Sequence, residues 1–288
     1  ICVQLDGLPL ALELAAARIR LLPPQALLSR LSQRFKVLTG GPHTVSERQQ
    51  TLLNTIRWSY DLLDAREQRL FRRLSIFIGG WTLEAVEAVC YEMPSEAPSA
   101  LDEVTSLLDK SLVLPVEQEG EEPRLQMLIT VREYALECLQ TSKEAERIQR
   151  AHAAYYLAWV EGVEIRLKGA QQLEWLARLE QEMANVFAAL ETAFEQGMHA
   201  ELVRGVTAFT RFLEVRGAYA QAEIQLKRAE QAARLLQDDS GLVTTLFYLG
   251  EVAEKQGDYI QAEAYLQEGL GLARQVGDGE RICDLLRS

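Results

Sequence analysis

The sequence predicts a mainly α-helical protein: a helical domain and a winged-helix domain with a small β-hairpin, followed by an α-solenoid of helical hairpins. Three observations lead to this fold class. Apolar residues recur at helical spacing over most of the 288 residues. Two short apolar runs, 111–116 and 124–128, flank a polar loop as the strands of a hairpin do. Beyond residue 200 a pattern repeats with a period of about 40 residues, which is typical of stacked helical pairs.

Residues 1–45 are predicted to form a helical subdomain. Asp6-Gly7-Leu8-Pro9 indicates the start of its first helix, because proline is well tolerated at the first helical position. Pro23-Pro24 ends that helix. The stretch 39–48 has the composition of a linker and predicts a domain boundary.

Residues 46–141 are predicted to form the winged-helix domain, in which helices precede the hairpin and one helix follows it. Asp64 with Glu67, and Thr130 with Glu133, have the spacing of capping boxes that start helices. The predicted helices cover 51–63, 65–74, 82–90, 99–110 and a segment that begins near Thr130.

Residues 142–199 are predicted to form a linking helical hairpin, and residues 200–288 to form the repeats. The predicted helices cover 142–167, 170–196, 200–216, 218–236, 240–256 and 258–276. The repeat is clearest where Gly217-x-Tyr219-x-Gln221-Ala222 recurs as Gly257-x-Tyr259-x-Gln261-Ala262. A third copy begins near the end, and we expect residues 278–288 to be frayed or held only against the helix over 258–276.

Each residue of the repeated pattern has an expected role. The glycines Gly217 and Gly257 make a tight turn, and the tyrosines Tyr219 and Tyr259 pack behind it. Ala222 and Ala262 allow two helices to approach closely. Gln225 and Gln267 are expected on the polar face of their helices.

The charge distribution argues against direct binding of nucleic acid. The net charge is -12, and residues 1–73 carry a net +5, so residues 74–288 carry a net -17. The predicted recognition helix over 99–110 has Asp102, Glu103 and Asp109 against Lys110, and the wing loop has glutamates at 117, 119, 121 and 122. Phosphate contacts require the opposite sign of charge, and so does an anionic membrane surface.

The sequence holds no recognisable catalytic constellation. It lacks a phosphate-binding loop of the form G-x-x-x-x-G-K-[ST], a G-x-S-x-G elbow and an H-E-x-x-H helix. The four cysteines and three histidines are too far apart for a metal site. We therefore expect no enzyme activity, no metal and no cofactor in this fragment. Without a long, membrane-spanning apolar run or a leader, and with cysteines read as reduced thiols, a cytoplasmic protein is expected.

Several segments resemble one known family. The run Gly7-Leu8-Pro9-Leu10-Ala11 resembles the GLPLA motif of the STAND / NB-ARC signal-transduction ATPases. The segments 48–52, 58–63, 67–77 and 127–135 are similar to the winged-helix region of bacterial members. The tail resembles tetratricopeptide-type repeats.

The resemblance implies a nucleotide-gated switch. An upstream P-loop domain of the intact parent would hold ADP or ATP with Mg²⁺, and any ATP hydrolysis would take place there. Gly7, Leu8 and Pro9 would contact the nucleotide, with Pro9 against the adenine. The family's Met-His-Asp sensor aligns with Met127-Leu128-Ile129, so the phosphate-binding histidine is absent and Met127 is expected in the core.

The resulting prediction is the regulatory or sensor portion of a nucleotide-dependent signalling switch. Its expected partners are the upstream P-loop domain and a protein or small ligand bound by the helical repeats, with a possible oligomer on activation. The alternative is a DNA-binding transcription regulator that uses the winged helix.

Overall fold

The fold is taken from a computed structural model, which describes residues 59–91, 100–116, 123–167 and 171–286, together with Pro23, Ile56 and Arg57. The chain divides into two compact units, between Ile148 and Gln149. In the first unit the described helices and strands are α1 (Ala65–Leu74), α2 (Leu83–Cys90), α3 (Ala100–Asp109), β1 (Leu114–Val116), β2 (Arg124–Gln126) and α4 (Ile129–Thr141). The second unit contains most of α5 (Ala145–Arg166), then α6 (Gln172–Glu195), α7 (His199–Val215), α8 (Tyr219–Leu236), α9 (Asp239–Gln256), α10 (Tyr259–Val276) and α11 (Gly279–Leu285).

Side-chain caps set the starts of α1 and α2. The Asp64 carboxylate accepts hydrogen bonds from the backbone N–H groups of Arg66 and Glu67 at 2.8 and 2.9 Å. The Asp64 backbone N–H in turn donates to the Glu67 carboxylate at 2.9 Å, which completes the predicted capping box. Thr82 caps α2 through its hydroxyl, as predicted. Local polar spacing therefore determines where both helices begin.

The capping box predicted at Thr130 and Glu133 is wrong. The helix α4 begins one residue before Thr130, and its N-cap is Leu128, which makes no side-chain capping bond. Thr130 is thus already the second residue of the helix, too late to act as its cap.

A short hairpin completes the first unit. The strands β1 and β2 are antiparallel, with Pro115 opposite Leu125. Trp81, just before α2, exchanges backbone hydrogen bonds with Leu125 at 2.8 and 2.9 Å and so extends the pairing by one bridge. The core beneath the hairpin is formed by large side chains with almost no exposure, among them Phe71, Leu74, Phe77, Trp81 and Leu107. This helix order and hairpin confirm the predicted winged-helix fold.

The second unit is a series of antiparallel helical pairs, and the predicted helices lie close to the observed bounds. The same turn recurs at a fixed interval in the sequence, at positions that all have positive φ: Gly197, Gly217, Gln237, Gly257 and Gly277. After each of them, the next residue's N–H donates to the carbonyl of the fifth residue before it, at 2.8–3.0 Å. This is the hydrogen bond of a Schellman C-cap, and it leaves very little chain between one helix and the next.

Aspartate caps the helix that follows three of these turns. Asp238, Asp258 and Asp278 each accept a hydrogen bond from the backbone N–H of the third residue after them, at 2.9, 3.1 and 3.0 Å. Each aspartate satisfies one of the N–H groups that a helix start leaves unpaired. The tight turns predicted at Gly217 and Gly257 are confirmed, but their recurrence at half the repeat period, at Gly197, Gln237 and Gly277, was missed.

The residues of the repeated pattern differ in their surroundings. Ala222 and Ala262 are buried, whereas Tyr259 is 69% exposed and Tyr219 is half-buried. The expectation that Tyr259 packs behind its turn is therefore wrong, because it is the first residue of α10 and points into solvent. Gln225 was expected on a polar face but is buried, because it lies on the same side of α8 as Ala222 and Leu226.

The last helix is better anchored than its sequence suggested. The helix α11 contacts both α9 and α10. Leu285 is buried in a cluster with Val243 and Ala273, and Ile282 packs against it. The expected fraying, or contact with only the preceding helix, is therefore wrong for the described residues 279–286.

Candidate functional site

In the winged-helix unit, α3 corresponds to the predicted recognition helix over 99–110 and is the helix immediately before the hairpin. Val104 and Leu107 are buried, so the helix presents the opposite face to solvent. The exposed positions of that face include Leu101, Asp102, Thr105 and Asp109. Two carboxylates and no cation thus lie where a recognition helix would meet phosphates and base edges.

Lys110, the residue after α3, forms an ion pair within the first unit. The Lys110 ammonium lies 2.6 Å from the Glu67 carboxylate and 3.0 Å from the Ser106 hydroxyl. Ser106 also donates a hydrogen bond to Glu67. Burial raises the pKa of Glu67, but the hydrogen bonds from Lys110, Ser106 and the Asp64 backbone outweigh it, so its pKa lies below the usual value. Sequence reasoning missed this pairing because Glu67 and Lys110 are far apart along the chain.

Arg124, the arginine of the wing, also makes its hydrogen bonds within the first unit. Arg124 on β2 is buried, and its guanidinium donates to the carbonyls of Gly79 and Gly80 at 3.1–3.4 Å. Two exposed arginines, Arg66 and Arg69, lie on α1 rather than on α3. Arg124 is therefore not available to a phosphate, and Lys110 would have to leave Glu67 to contact one.

A partly buried ion cluster joins α1 to the turn between α4 and α5. The Glu144 carboxylate accepts hydrogen bonds from Arg72 and from Arg73, with an Arg73 distance of 2.6 Å. Arg73 also donates to the Cys90 carbonyl at the end of α2. Burial raises the pKa of Glu144, but the two guanidiniums hold it below its usual value. Burial also raises the pKa of the Cys90 thiol to about 12, so this cysteine is unreactive.

The predicted nucleotide-contact residues Gly7, Leu8 and Pro9 lie outside the described residues, as does the acidic wing loop 117–122. Met127 is buried, in agreement with a core position, and Leu128 is half-buried at the start of α4. A leucine at this point offers no hydrogen-bond donor to a phosphate. Its place in a degenerate sensor motif stays a prediction.

The second unit contains a cavity of about 380 Å³, lined by residues of α5, α6, α7 and α9 and by Leu167 just after α5. Its apolar walls are formed by Leu167, Leu176, Val215, Phe247 and Tyr248. Its polar lining residues are Glu164, Gln172, Arg211, Glu214 and Glu251. Apolar walls combined with a few polar groups are the usual composition of a ligand site. Sequence reasoning did not find this site, because its residues come from four helices.

One carboxylate of the cavity is strongly influenced by its surroundings. Arg211 donates to Glu214 at 3.3 Å. Burial raises the pKa of Glu214, and the neighbouring Glu251 raises it further, although Arg211 and Lys255 oppose both effects. Burial likewise raises the pKa of Tyr248, and the charge of Glu164 adds to that rise. Three carboxylates and one guanidinium therefore line the cavity.

The described part of the chain offers neither a metal-binding cluster nor a membrane-spanning helix. Within residues 59–286, apart from the gaps given above, no group of three or more His, Cys, Asp or Glu side chains is placed to hold a metal ion. None of the described helices combines the length and the apolar character that crossing a membrane requires.

Comparisons with known proteins support the winged-helix assignment. A family model described as "Winged helix-turn-helix domain" matches residues 63–140. The "Putative HTH-type transcriptional regulator Rv0890c" of Mycobacterium tuberculosis is 36% identical over 295 residues, which cover 96% of this chain and 32% of that protein. The "Uncharacterized protein Rv0894" of the same organism is 39% identical over 149 residues, 51% of this chain and 38% of that protein. The chain thus spans about a third of the length of these relatives.

A solved structure was also matched. It is a STAND protein with a tetratricopeptide repeat sensor, PH0952 from Pyrococcus horikoshii, and the match covers 94% of this chain and 54% of that one. The two sequences are 14% identical, and the TM-score is 0.26.

Proposed function

We propose that this chain is the regulatory portion of a transcription-regulating signalling protein. In this proposal the winged-helix unit makes protein contacts rather than reading DNA, and the helical array binds a protein or ligand that carries the signal. The observation that carries it is the exposed face of α3, on which Asp102 and Asp109 stand while Lys110 is paired with Glu67. The name of the Mycobacterium tuberculosis relative supports the link to transcription.

Direct DNA binding by the winged helix is the second candidate. The description of the matching family and the name of that relative favour it. The charge of α3 opposes it, because each phosphate contact needs a cation that releases counterions from the duplex. The relative is about three times longer than this chain, so a DNA-binding function of that protein can reside in another of its domains.

A titration with duplex DNA separates the two candidates. We expect a fluorescent DNA duplex to show no saturable binding to the chain below about 10 μM, even at low salt, where charge screening is weakest. The double variant Asp102→Lys with Asp109→Lys should gain salt-sensitive binding, because it creates the missing cations. The double variant Asp102→Asn with Asp109→Asn serves as a control for loss of charge alone. Saturable low-micromolar binding by the unaltered chain would establish the second candidate instead.

The nucleotide part of the proposal depends on the resemblance of Gly7-Leu8-Pro9 to the GLPLA motif. In an intact parent, a P-loop domain would hold ADP or ATP with Mg²⁺, and Pro9 would contact the adenine. A rigid proline at a helix start offers a flat apolar surface, which suits a nucleobase face. Any ATP turnover would then belong to that P-loop domain, and this chain would respond to the nucleotide without hydrolysing it.

A further inference from the structure

We propose that the cavity of the helical array binds an arginine or lysine side chain presented by an extended segment of a partner protein. The inference rests on the proposed function of the array as a partner-binding surface, and it assigns that surface a specific pocket and a ligand chemistry. The cavity, of about 380 Å³, is large enough for a long side chain with its flanking backbone but small for a folded element.

The charges of the cavity select a cation. Three carboxylates, those of Glu164, Glu214 and Glu251, face one guanidinium, that of Arg211. Arg211 pairs with Glu214, so it does not pair with Glu251. Within the part of the chain that the structure describes, Glu251 has no ion-pair partner within 4.0 Å. An incoming guanidinium or ammonium would supply an ion-pair partner for Glu251. Charge-assisted hydrogen bonds of this kind are stronger than neutral ones.

The walls of the cavity select a long apolar stem. Leu167, Leu176 and Val215 provide aliphatic surface, and Phe247 and Tyr248 provide rings. Arginine and lysine carry a methylene stem below the charge, which packs on apolar surface while the charged head meets a polar group. Aromatic rings also attract cations, and Phe247 already does so, because the Arg281 guanidinium carbon lies 5.5 Å from its ring centroid.

Arg281 does not satisfy the requirement itself. Its guanidinium pairs with Asp284 on the same helix at 3.5 Å, so its charge is offset within α11. An acidic or neutral ligand fits the cavity less well than a basic one: a carboxylate would meet Glu251, and a purely apolar group would leave the Glu251 carboxylate desolvated.

The test is calorimetric titration of the chain with blocked peptides that differ at one position. The probe is Gly-Ser-Leu-Arg-Leu-Ser-Gly, and the matched peptides have norleucine or glutamate in place of arginine. We expect the arginine peptide to bind about tenfold more tightly than the norleucine peptide, and the glutamate peptide not to bind. Binding of the arginine peptide should weaken as salt is added. Equal affinities for arginine and norleucine peptides would overturn the proposal.

Variants locate the binding. Glu251→Gln should weaken the arginine peptide about fivefold or more, whereas Glu263→Gln, which removes the same charge from an exposed site on α10, should have no effect. Val215 is 51% exposed at the cavity, so Val215→Trp should block the peptide without disturbing the core. Circular dichroism melts check that each variant is folded. Equal weakening by Glu251→Gln and Glu263→Gln, or binding unaffected by Val215→Trp, would overturn the proposal.

The outcomes also distinguish this inference from the proposed function. Arginine amide should bind far more weakly than the arginine peptide. Equal affinities would show that the site binds a small amine rather than a protein segment, and this would contradict the inference. The norleucine or glutamate peptide could instead bind more tightly than the arginine peptide, and its binding could be lost in Val215→Trp. That result would contradict the inference, but the proposed function of the array as a partner-binding surface would stand. The duplex titration tests the role of the winged-helix unit independently.

Discussion

At the residue scale, the informative charged groups of the first unit are the carboxylates that the fold uses internally. Glu67 and Glu144 both have pKa values below the ordinary value of 4.5, although burial alone raises them. Glu144 connects α1 to the turn before α5, and through Arg73 it reaches the end of α2. Removing one member of such a cluster leaves the others with unbalanced buried charge.

We expect Glu144→Gln to destabilise the first unit by about 3 kcal/mol at pH 7, because Arg73, which is almost fully buried, loses its counter-charge. Because the pKa of Glu144 in the folded state lies below 4.5, its full contribution to the free energy of unfolding is present above pH 4.5. That contribution is lost as the pH falls through the pKa of the folded state. The difference between wild type and variant should therefore shrink in acid. Hydrogen exchange of the α1 and α2 amides at pH 7, 5 and 3 measures this locally.

The exposed Glu137 on α4 provides the matched control for that experiment. Glu137→Gln removes the same charge from the surface, so the protection of α1 should not change. A Glu144→Gln variant with wild-type protection at pH 7 would show that the cluster contributes nothing net to stability.

At the scale of the elements, the stability of the array depends on how closely neighbouring helices approach. Gly250 lies in α9 where Leu266 of α10 crosses it, and a Cβ at Gly250 would come within 2.6 and 2.7 Å of two Leu266 side-chain carbons. Gly271, in α10, has open space around the same position. Close packing therefore excludes a side chain at Gly250 but not at Gly271.

Alanine at these two glycines should have opposite effects. Gly250→Ala should destabilise the array by about 1–3 kcal/mol, because Leu266 or a helix must move. Gly271→Ala should stabilise it by about 0.5–1 kcal/mol, because alanine favours the helix and meets no atom. Urea-induced unfolding followed by circular dichroism compares both with wild type. The same sign of change in the two variants would contradict the close approach of α9 and α10.

The elements also show what a sequence can predict. The helices of the array and the caps at Asp64 and Thr82 were predicted well, because periodicity and capping depend on residues close in sequence. The burial of Gln225, the exposure of Tyr259 and the pairing of Lys110 with Glu67 were not, because they depend on where neighbouring elements pack. The cavity was beyond prediction for the same reason, since four helices must first be assembled.

At the scale of the whole molecule, the chain has two units with separate proposed tasks. The first has the winged-helix fold with aspartates on the exposed face of α3, and the second is a helical array with a cavity lined by three carboxylates. A role for adenine nucleotide depends only on the segment around Pro9, and the contact of that segment with a nucleotide is a proposal.

We therefore expect the chain by itself to bind ADP with a Kd of about a millimolar or weaker, because one apolar contact does not offset the entropy lost on association. In a parent that carries a P-loop domain, Pro9→Ala should lower the ADP retained through purification. Calorimetric titration and quantification of bound nucleotide are the measurements. Micromolar binding by the chain alone would show that it holds a nucleotide site of its own, and unchanged ADP content in the Pro9→Ala parent would remove Pro9 from that site.

The turn that recurs at the ends of α6 to α10 has a consequence for how this protein can evolve. Because successive helices run in opposite directions, the duplication or loss of a single helix with its turn would reverse every helix that follows, whereas a change by a helical pair preserves their directions. A gene that gains or loses such a paired cassette keeps its turns and aspartate caps and alters only the reach of the array. A change in length by whole helical pairs is therefore the one that leaves the packing of the remaining helices intact.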